Sequence, residues 1–454
     1  MAIMKRSRIL YHISPYILFA VLSAFSLCLI FSHSVWFDEA YTLSLIQHSY
    51  GEITEILKTD MHPPLYFLSL KLFCEICGYS IPATKIFSAM GYMATLLIGC
   101  TAIKKHFGIE ASLIYMLTIG AIPMSLYFSV QQRSYTWCIF FVALCFTEAL
   151  LFMQKGALPS CILFVAAALF AAYNHIYALL AVAIIFAFTN IYIFVRKKDL
   201  LAMILLADCA VAVGYAFWIF PLLHQAEAAA DSFWLTGIEP LSLFVFMGGS
   251  LVAAVVLIKK ENRSLPVIFA IVTVLGIQFV GLFVTVFLRP LYIARYSVVV
   301  LGIFALLIAF RAKNTGKKCK AILCAALCVC NITGLAATAA FEYNPAMPDF
   351  LHRFETVSSA ADTFLYCDEA FGIMSYYYPE NKHLCTYQKP WFSAFAHVTC
   401  IKENEITRDL SAGTIWFIKN TLTEMPAFMR DFEYKLIDTF RCDFNRYEVY
   451  KLHK

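Results

Sequence analysis

The stretch PPLYFLSLKLFCEICGY, residues 63–79, decides how the rest of the chain is laid out. It is apolar enough to suggest a membrane span, yet it opens on Pro63-Pro64 and carries Lys71 and Glu75. It is also shorter than the roughly 20 residues that cross about 30 Å of hydrocarbon. Read as a juxtamembrane helix, it leaves about eleven apolar runs of spanning length between residues 10 and 340. Alternate loops then collect Lys5, Arg6, Arg8, Lys104, Lys105, Lys155, Arg196, Lys197, Lys198, Lys259, Lys260, Arg263, Arg311, Lys313, Lys317, Lys318 and Lys320. These are 17 of the 23 basic residues in that region. Basic loops mark the cytoplasmic side. Counting 63–79 as a span would put Lys104 and Lys105 outside and invert every later loop. The N-terminus is therefore expected in the cytoplasm and, an odd number of spans later, the tail outside.

Composition agrees. The chain is 61% hydrophobic and only 14% charged, with a mean hydropathy of +0.72, where soluble domains carry about 25% charge. The first apolar run, after MAIMKRSRIL, continues to about Phe31 and ends without a small-x-small cleavage site, so it is expected to be an uncleaved span. Residues 341–454 hold 12 of the 35 Lys and Arg but 16 of the 30 Asp and Glu, about −4, which leaves about +9 on the span region. That excess is the signature of cytoplasmic loops, and no basic, aromatic-interleaved patch points to nucleic acid. No P-loop, dinucleotide fingerprint or internal repeat is present. Most of the 16 cysteines lie in the spans as small apolar packers, and Cys74/Cys77 form an isolated CxxC. In an oxidising compartment Cys367, Cys385, Cys400 and Cys442 could form two disulfides in any of three pairings.

The opposite, outer loops are poor in basic residues, so each polar group there needs a reason. Asp38 and Glu39 in SVWFDEAYTLSLIQHSY (34–50) follow an interfacial Trp36-Phe37 pair. Asp38 could simply cap an amphipathic helix. Capping explains one acid and not two. The alternative is a general base beside a metal- or hydroxyl-binding neighbour. In TDMHPPLYF (59–67), Pro63 holds His62 extended while Pro64 can start a helix. His62 is thereby fixed near Asp60, where it could bind phosphate or metal. Arg133 in QQRSYTW (131–137), and Arg289, Arg295 and Tyr296 in RPLYIARYSVVV (289–300), stand at outer span ends. Snorkelling to headgroups would place arginines there, and so would bidentate phosphate recognition. His175 in NHIYALL (174–180) could be a turn residue or a ligand, and so could His224, read as lying in a loop with Glu227 and Asp231.

The tail alternates strand-like runs (TFLYC, HLCTY, TIWFIKN, YKLIDTF, RYEVYKL) with helix-like ones (EAFGIMSYYY, ITRDLSA, AFMRDFE), which predicts a small α/β domain. CDEAF (367–371) echoes FDEAY, but Asp368 there reads as a helix cap.

In their order and common sidedness, FDEAY, DMHPPLYF, QQRSYTW, NHIYALL and ARYSVVV, followed by an outer C-terminal domain, resemble the GT-C type membrane glycosyltransferases. The protein O-mannosyltransferase and aminoarabinose transferase family is the nearest likeness. The resemblance implies a GT-C-like, α-helical polytopic membrane protein with about eleven transmembrane helices, juxtamembrane helices in the first outer loop (32–81), a catalytic region over 1–340 and an extracytoplasmic α/β domain over 341–454. It also implies metal-assisted, usually inverting sugar transfer from a polyprenyl-phosphate donor to an extracytoplasmic acceptor, in the plasma (inner) membrane and without a nucleotide cofactor. By motif, Asp38 matches the catalytic base and Glu39 its acidic neighbour. His62, Arg133, Arg295 and Tyr296 match donor-phosphate contacts. Glu39, Asp60, His175 and His224 are the candidate ligands of a divalent metal. Some members place an acid where this chain has Met61, with only Asp60 nearby. The competing classes are a transporter or flippase of lipid-linked glycans, and a glycan polymerase or ligase. Transporters, however, tend to show repeats and mid-membrane polar residues.

Overall fold

A computed structural model describes residues 2–32, 34–232, 237–258, 263–288, 292–313, 315–387, 390–406 and 413–453. Arg289, the loop lysines Lys259 and Lys260 and most of the helix-like run at 406–412 lie outside the described residues. Two compact units are formed, Met1–Ile30 with Met61–Thr338, and Phe31–Asp60 with Ala339–Lys454. Most of the first loop thus belongs to the same unit as the C-terminal residues.

The first unit is helical, and the expected spans, with one exception given below, coincide with continuous helical segments. Among the described residues eight helices are long and apolar enough to cross a membrane, including Ile81–Phe107, Tyr135–Lys155, Ile176–Arg196, Leu265–Phe287 and Ala294–Lys313. Three more, Tyr11–Leu27, Ile109–Ala121 and Leu158–Ala172, are shorter apolar helices. The protein is a multi-pass membrane protein. Phe217 is 86% exposed and Phe220 81%, which suits a helix bathed in lipid and not one bathed in water. Small residues let neighbouring helices approach. Ala167, Ala168, Ala171 and Ala172 are all buried on the helix Leu158–Ala172. Buried hydroxyls close on their own helices, as Thr147 does on the Ala143 carbonyl (2.8 Å) and Thr189 on that of Ile185 (2.8 Å), because hydrocarbon offers no other partner.

The segment read as juxtamembrane is the 13-residue helix Leu65–Cys77, too short to span. Two expectations need correction. The apolar run 109–128, one of the eleven expected spans, is broken at Ile122, which is extended (φ −88°, ψ 110°) before Pro123 opens a short helix to Phe128, as the steric demand of a following proline requires. His224 does not lie in a loop, since the helix Leu201–Ser232 runs through it. The composition LLHQAEAAAD (222–231) is rich in strong helix formers and sustains the helix past Pro221.

In the second unit, strands β1 (Thr363–Tyr366), β2 (Lys382–Cys385), β3 (Val398–Cys400), β4 (Ile415–Asn420), β5 (Glu433–Cys442) and β6 (Asn445–His453) form one sheet in the order β3-β2-β1-β4-β6-β5. The first four strands are mutually parallel, and β4-β6-β5 is antiparallel. All four β1 residues are buried, as a central parallel strand covered on both faces demands. Every expected strand is present. The short edge strand β3 was not foreseen, and the run AFMRDFE forms a 3-10 turn at Ala427–Asp431. Asp368 serves the start of helix Ala370–Tyr377 by accepting from Ala370 N at 2.9 Å, and its other oxygen accepts from Asn420 N at 2.6 Å. Cys367, Cys385, Cys400 and Cys442 are free thiols.

Candidate active site

Within the helical unit, one group of cations, imidazoles and phenols gathers where three spans begin. Arg133 is buried just before the helix Tyr135–Lys155. That helix end is pinned to the helix Ile81–Ile98 by Thr136 Oγ1 donating to the Ser88 carbonyl (2.7 Å) and Trp137 Nε1 to that of Phe87 (3.0 Å). Gly91 permits the approach, since a Cβ there would stand 2.7 Å from Thr136 Oγ1 and 2.8 Å from Trp137 N. Gln132 Nε2 donates to Thr84 Oγ1 at 3.2 Å in the same contact.

Arg133 Nη2 donates to His62 Nε2 at 2.7 Å. Because guanidinium has no acceptor, Nε2 of His62 is the acceptor in this bond, which leaves Nδ1 as the ring's donor. His62 precedes the buried pair Pro63-Pro64, and the helix that follows is tied at its first residue by Leu65 N donating to the Tyr173 carbonyl at 3.0 Å. The next turn carries His175, whose Nδ1 accepts from Tyr177 N at 3.1 Å and so caps the helix Ile176–Arg196. His175 is thus the capping residue of that helix and, unlike a solvated turn residue, is buried at 7% exposure.

Arg295 and Tyr296 lie in the 3-10 segment Ala294–Val300 that opens the span Ala294–Lys313. Glu239 holds this segment, with its Oε2 accepting from Ala294 N at 2.6 Å. Tyr296 stacks on Tyr177 (4.7 Å between ring centroids) and contacts His175 (5.3 Å), while Tyr135 lies 5.8 Å from His175 and Tyr292 5.5 Å from Tyr177. The result is a wall of tyrosines around a buried imidazole, flanked by two arginines. Sequence reasoning had singled out Arg133, His62, His175, Arg295 and Tyr296 separately. It gave no part to Glu239 or to the fully buried Lys85, though a lysine inside an apolar span start is itself a signal.

The second unit holds the acids. The helix Phe37–Leu45 starts at Trp36, whose backbone N–H donates to Glu39 Oε2 at 3.4 Å. The capping acid is therefore Glu39, 1% exposed, and not Asp38, which is the second helical residue and half-buried. A carboxylate reaching back from the third helical position to the cap N–H is the capping-box geometry. Asp60, 2% exposed, accepts from Tyr41 Oη at 2.5 Å, and Tyr41 shares a helix face with Asp38 three residues before it.

The C-terminal residues fix this helix. Phe37 packs edge-on to Phe371 (6.0 Å) and against Phe395 (5.9 Å), with Gly372 clearing the space. Val35 N donates to Tyr377 Oη (2.8 Å), and His48 Nε2 bonds the Ala394 carbonyl (3.1 Å). The helix that carries the candidate base is thus mounted on the sheet domain.

Among the described residues no three His, Cys, Asp or Glu side chains gather so as to hold a metal ion. Of the four candidate ligands, Glu39 and Asp60 lie in the second unit and His175 and His224 in the first. His224 is exposed on its helix, and Glu39 and Asp60 are occupied by the bonds described above.

No family model and no curated protein matches the chain. Among solved structures the chain is similar to ArnT from Cupriavidus metallidurans in the apo state, with a TM-score of 0.70 at 12% identity over 96% of this chain and 97% of that one. ArnT from the same organism bound to undecaprenyl phosphate matches at a TM-score of 0.66 and 12% identity, over 98% and 97%. The chain shares the fold of these structures, that of a polytopic membrane protein with a C-terminal sheet domain, which is the architecture the motif resemblance implies.

Proposed function

We propose that the protein is a glycosyltransferase that moves a sugar from a polyprenyl-phosphate donor to an acceptor on the extracytoplasmic side of the plasma membrane. The observation that carries this reading is the His62–Arg133 pair within the His175, Arg295 and Tyr296 cluster, on a fold shared with a protein that binds undecaprenyl phosphate. In the reaction the acceptor hydroxyl attacks the anomeric carbon, the bond from that carbon to the phosphate oxygen breaks, and polyprenyl phosphate departs with the electron pair. Asp38 takes the hydroxyl proton, a role worth about 10² to 10⁴ in rate. Arg133 and Arg295 meet the charge that develops on the leaving phosphate, and Nδ1–H of His62 offers it a further donor. Glu39 holds the start of the helix that carries Asp38. The N-terminus is assigned to the cytoplasm, and the acceptor is a lipid, cell-surface glycan or protein.

The purified protein in liposomes is supplied with polyprenyl-phosphate sugars on the outer leaflet, and labelled sugar is followed into acceptor, with and without added divalent metals. Transfer supports the reading. Movement of the donor across the bilayer without transfer would replace it with a flippase.

A further inference from the structure

The sheet domain has a second polar feature, well away in sequence from the acid helix. Between the helix Ala346–Glu355 and the hairpin β5–β6 lies an open recess of about 430 Å³ lined by Asp349, Arg353, Thr439, Arg441 and Arg446, with Phe440 and Ala346 as its apolar part. Arg441 and Arg446 are register partners, directly opposite each other in the antiparallel pair. Like charges in that position repel. Both side chains are exposed, and among the described residues neither forms an ion pair. Arg446 Nη2 donates only to Thr439 Oγ1, at 3.2 Å. Arg353, by contrast, is neutralised by Asp438, with Nε and Nη2 donating at 3.0 and 3.2 Å. The nearby Glu448 is itself held by Lys419 at 3.0 Å.

Charged side chains on an outer strand also deter edge-to-edge pairing, and β5 is such a strand. That accounts for arginine on the edge. It does not account for two arginines opposed across a hairpin and lining one recess with a third. We propose that the recess is an anion site that takes a phosphoryl group between Arg441 and Arg446, whose planar forks match phosphate oxygens in pairs. Binding relieves the repulsion built into the hairpin. Phe444, 70% exposed at the hairpin tip, packs tilted against Phe341 in the last turn of the helix Lys317–Glu342, 5.1 Å between ring centroids. A phosphate there can come from a lipid headgroup or from solution.

The test uses the full-length protein in neutral detergent at matched ionic strength, with inorganic phosphate and a short-chain phosphatidic acid as separate probes. Affinity and thermal midpoint are measured for the native protein, for Arg441→Gln/Arg446→Gln and for the single Arg446→Gln. At least one probe is expected to bind the native protein and raise its midpoint, and the double variant is expected to bind at least 10-fold more weakly with a ligand-free midpoint equal or higher. The single variant keeps the comparison open if the double folds poorly. Tighter binding of the lipid assigns a headgroup, and equal binding assigns phosphate itself. Failure of both probes to bind, or equal affinity in native and variant proteins, overturns the site.

Discussion

His62 and Arg133 are 71 residues apart in sequence and 2.7 Å apart in space, and the direction of their hydrogen bond fixes which nitrogen of His62 carries its proton. Arg133→Lys keeps the charge and loses the planar fork. A hydrogen bond to a charged group contributes roughly 1.5 to 3 kcal/mol, which corresponds to roughly a 10- to 100-fold loss of sugar transfer. Initial rates at saturating acceptor, with thermal midpoints as the control for folding, check this.

Gly91→Ala places a methyl group 2.7 to 2.9 Å from Thr136 Oγ1, Trp137 N and Thr136 C. Two of these are backbone atoms and cannot step aside without moving the helix. Overpacking of this kind costs roughly 1 to 3 kcal/mol. The midpoint of unfolding in detergent is expected to fall, and transfer with it, because the same helix end carries Arg133.

Glu39→Ala removes the acceptor for Trp36 N–H, and loss of a helix cap costs about 1 kcal/mol. Glu39→Gln retains an acceptor oxygen and is expected to keep most of that stability. Thermal unfolding of the two variants separates a capping role from a charge role.

The sheet domain carries a pH dependence of its own. His383 is 1% exposed, is bonded to Tyr366 Oη at 2.8 Å and to the Tyr378 carbonyl at 2.7 Å, and is pushed down to about 4, chiefly by burial. Unfolding restores the ordinary value near 6.5, so the unfolded chain takes up a proton that the folded one refuses. The stability this group confers is present above pH 6.5 and is lost as pH falls towards 4, in total roughly 3 kcal/mol. Hydrogen exchange across β1 and β2, corrected for intrinsic rates, is expected to quicken over that window. Exchange flat from pH 7 to 4.5 would contradict it.

The spans were legible because twenty apolar residues in a row have few alternatives, and basic loops ordered them. Leu65–Cys77 was legible for the opposite reason, being too short and too charged to cross. The break at Ile122 could have been read from Pro123, but an apolar run masks a proline within it. The helix through His224 was hidden because a polar stretch between spans reads as a loop, although its alanines and glutamate favour helix. At the site, residue types and order pointed to Arg133, His62 and Arg295. No one-dimensional signal told that Glu39 and not Asp38 would be the capping acid, that Glu239 would hold Ala294, or that Phe371 and Phe395 would seat Phe37.

The most direct test of the account is Asp38→Asn assayed for transfer beside Glu39→Gln in equally folded, equally expressed protein. The substitution leaves the Glu39 cap in place, so thermal midpoint and donor binding are expected to stay unchanged while transfer falls roughly 10²- to 10⁴-fold, and Glu39→Gln is expected to retain most of its activity. Full transfer by Asp38→Asn would contradict the assignment of Asp38 as the base.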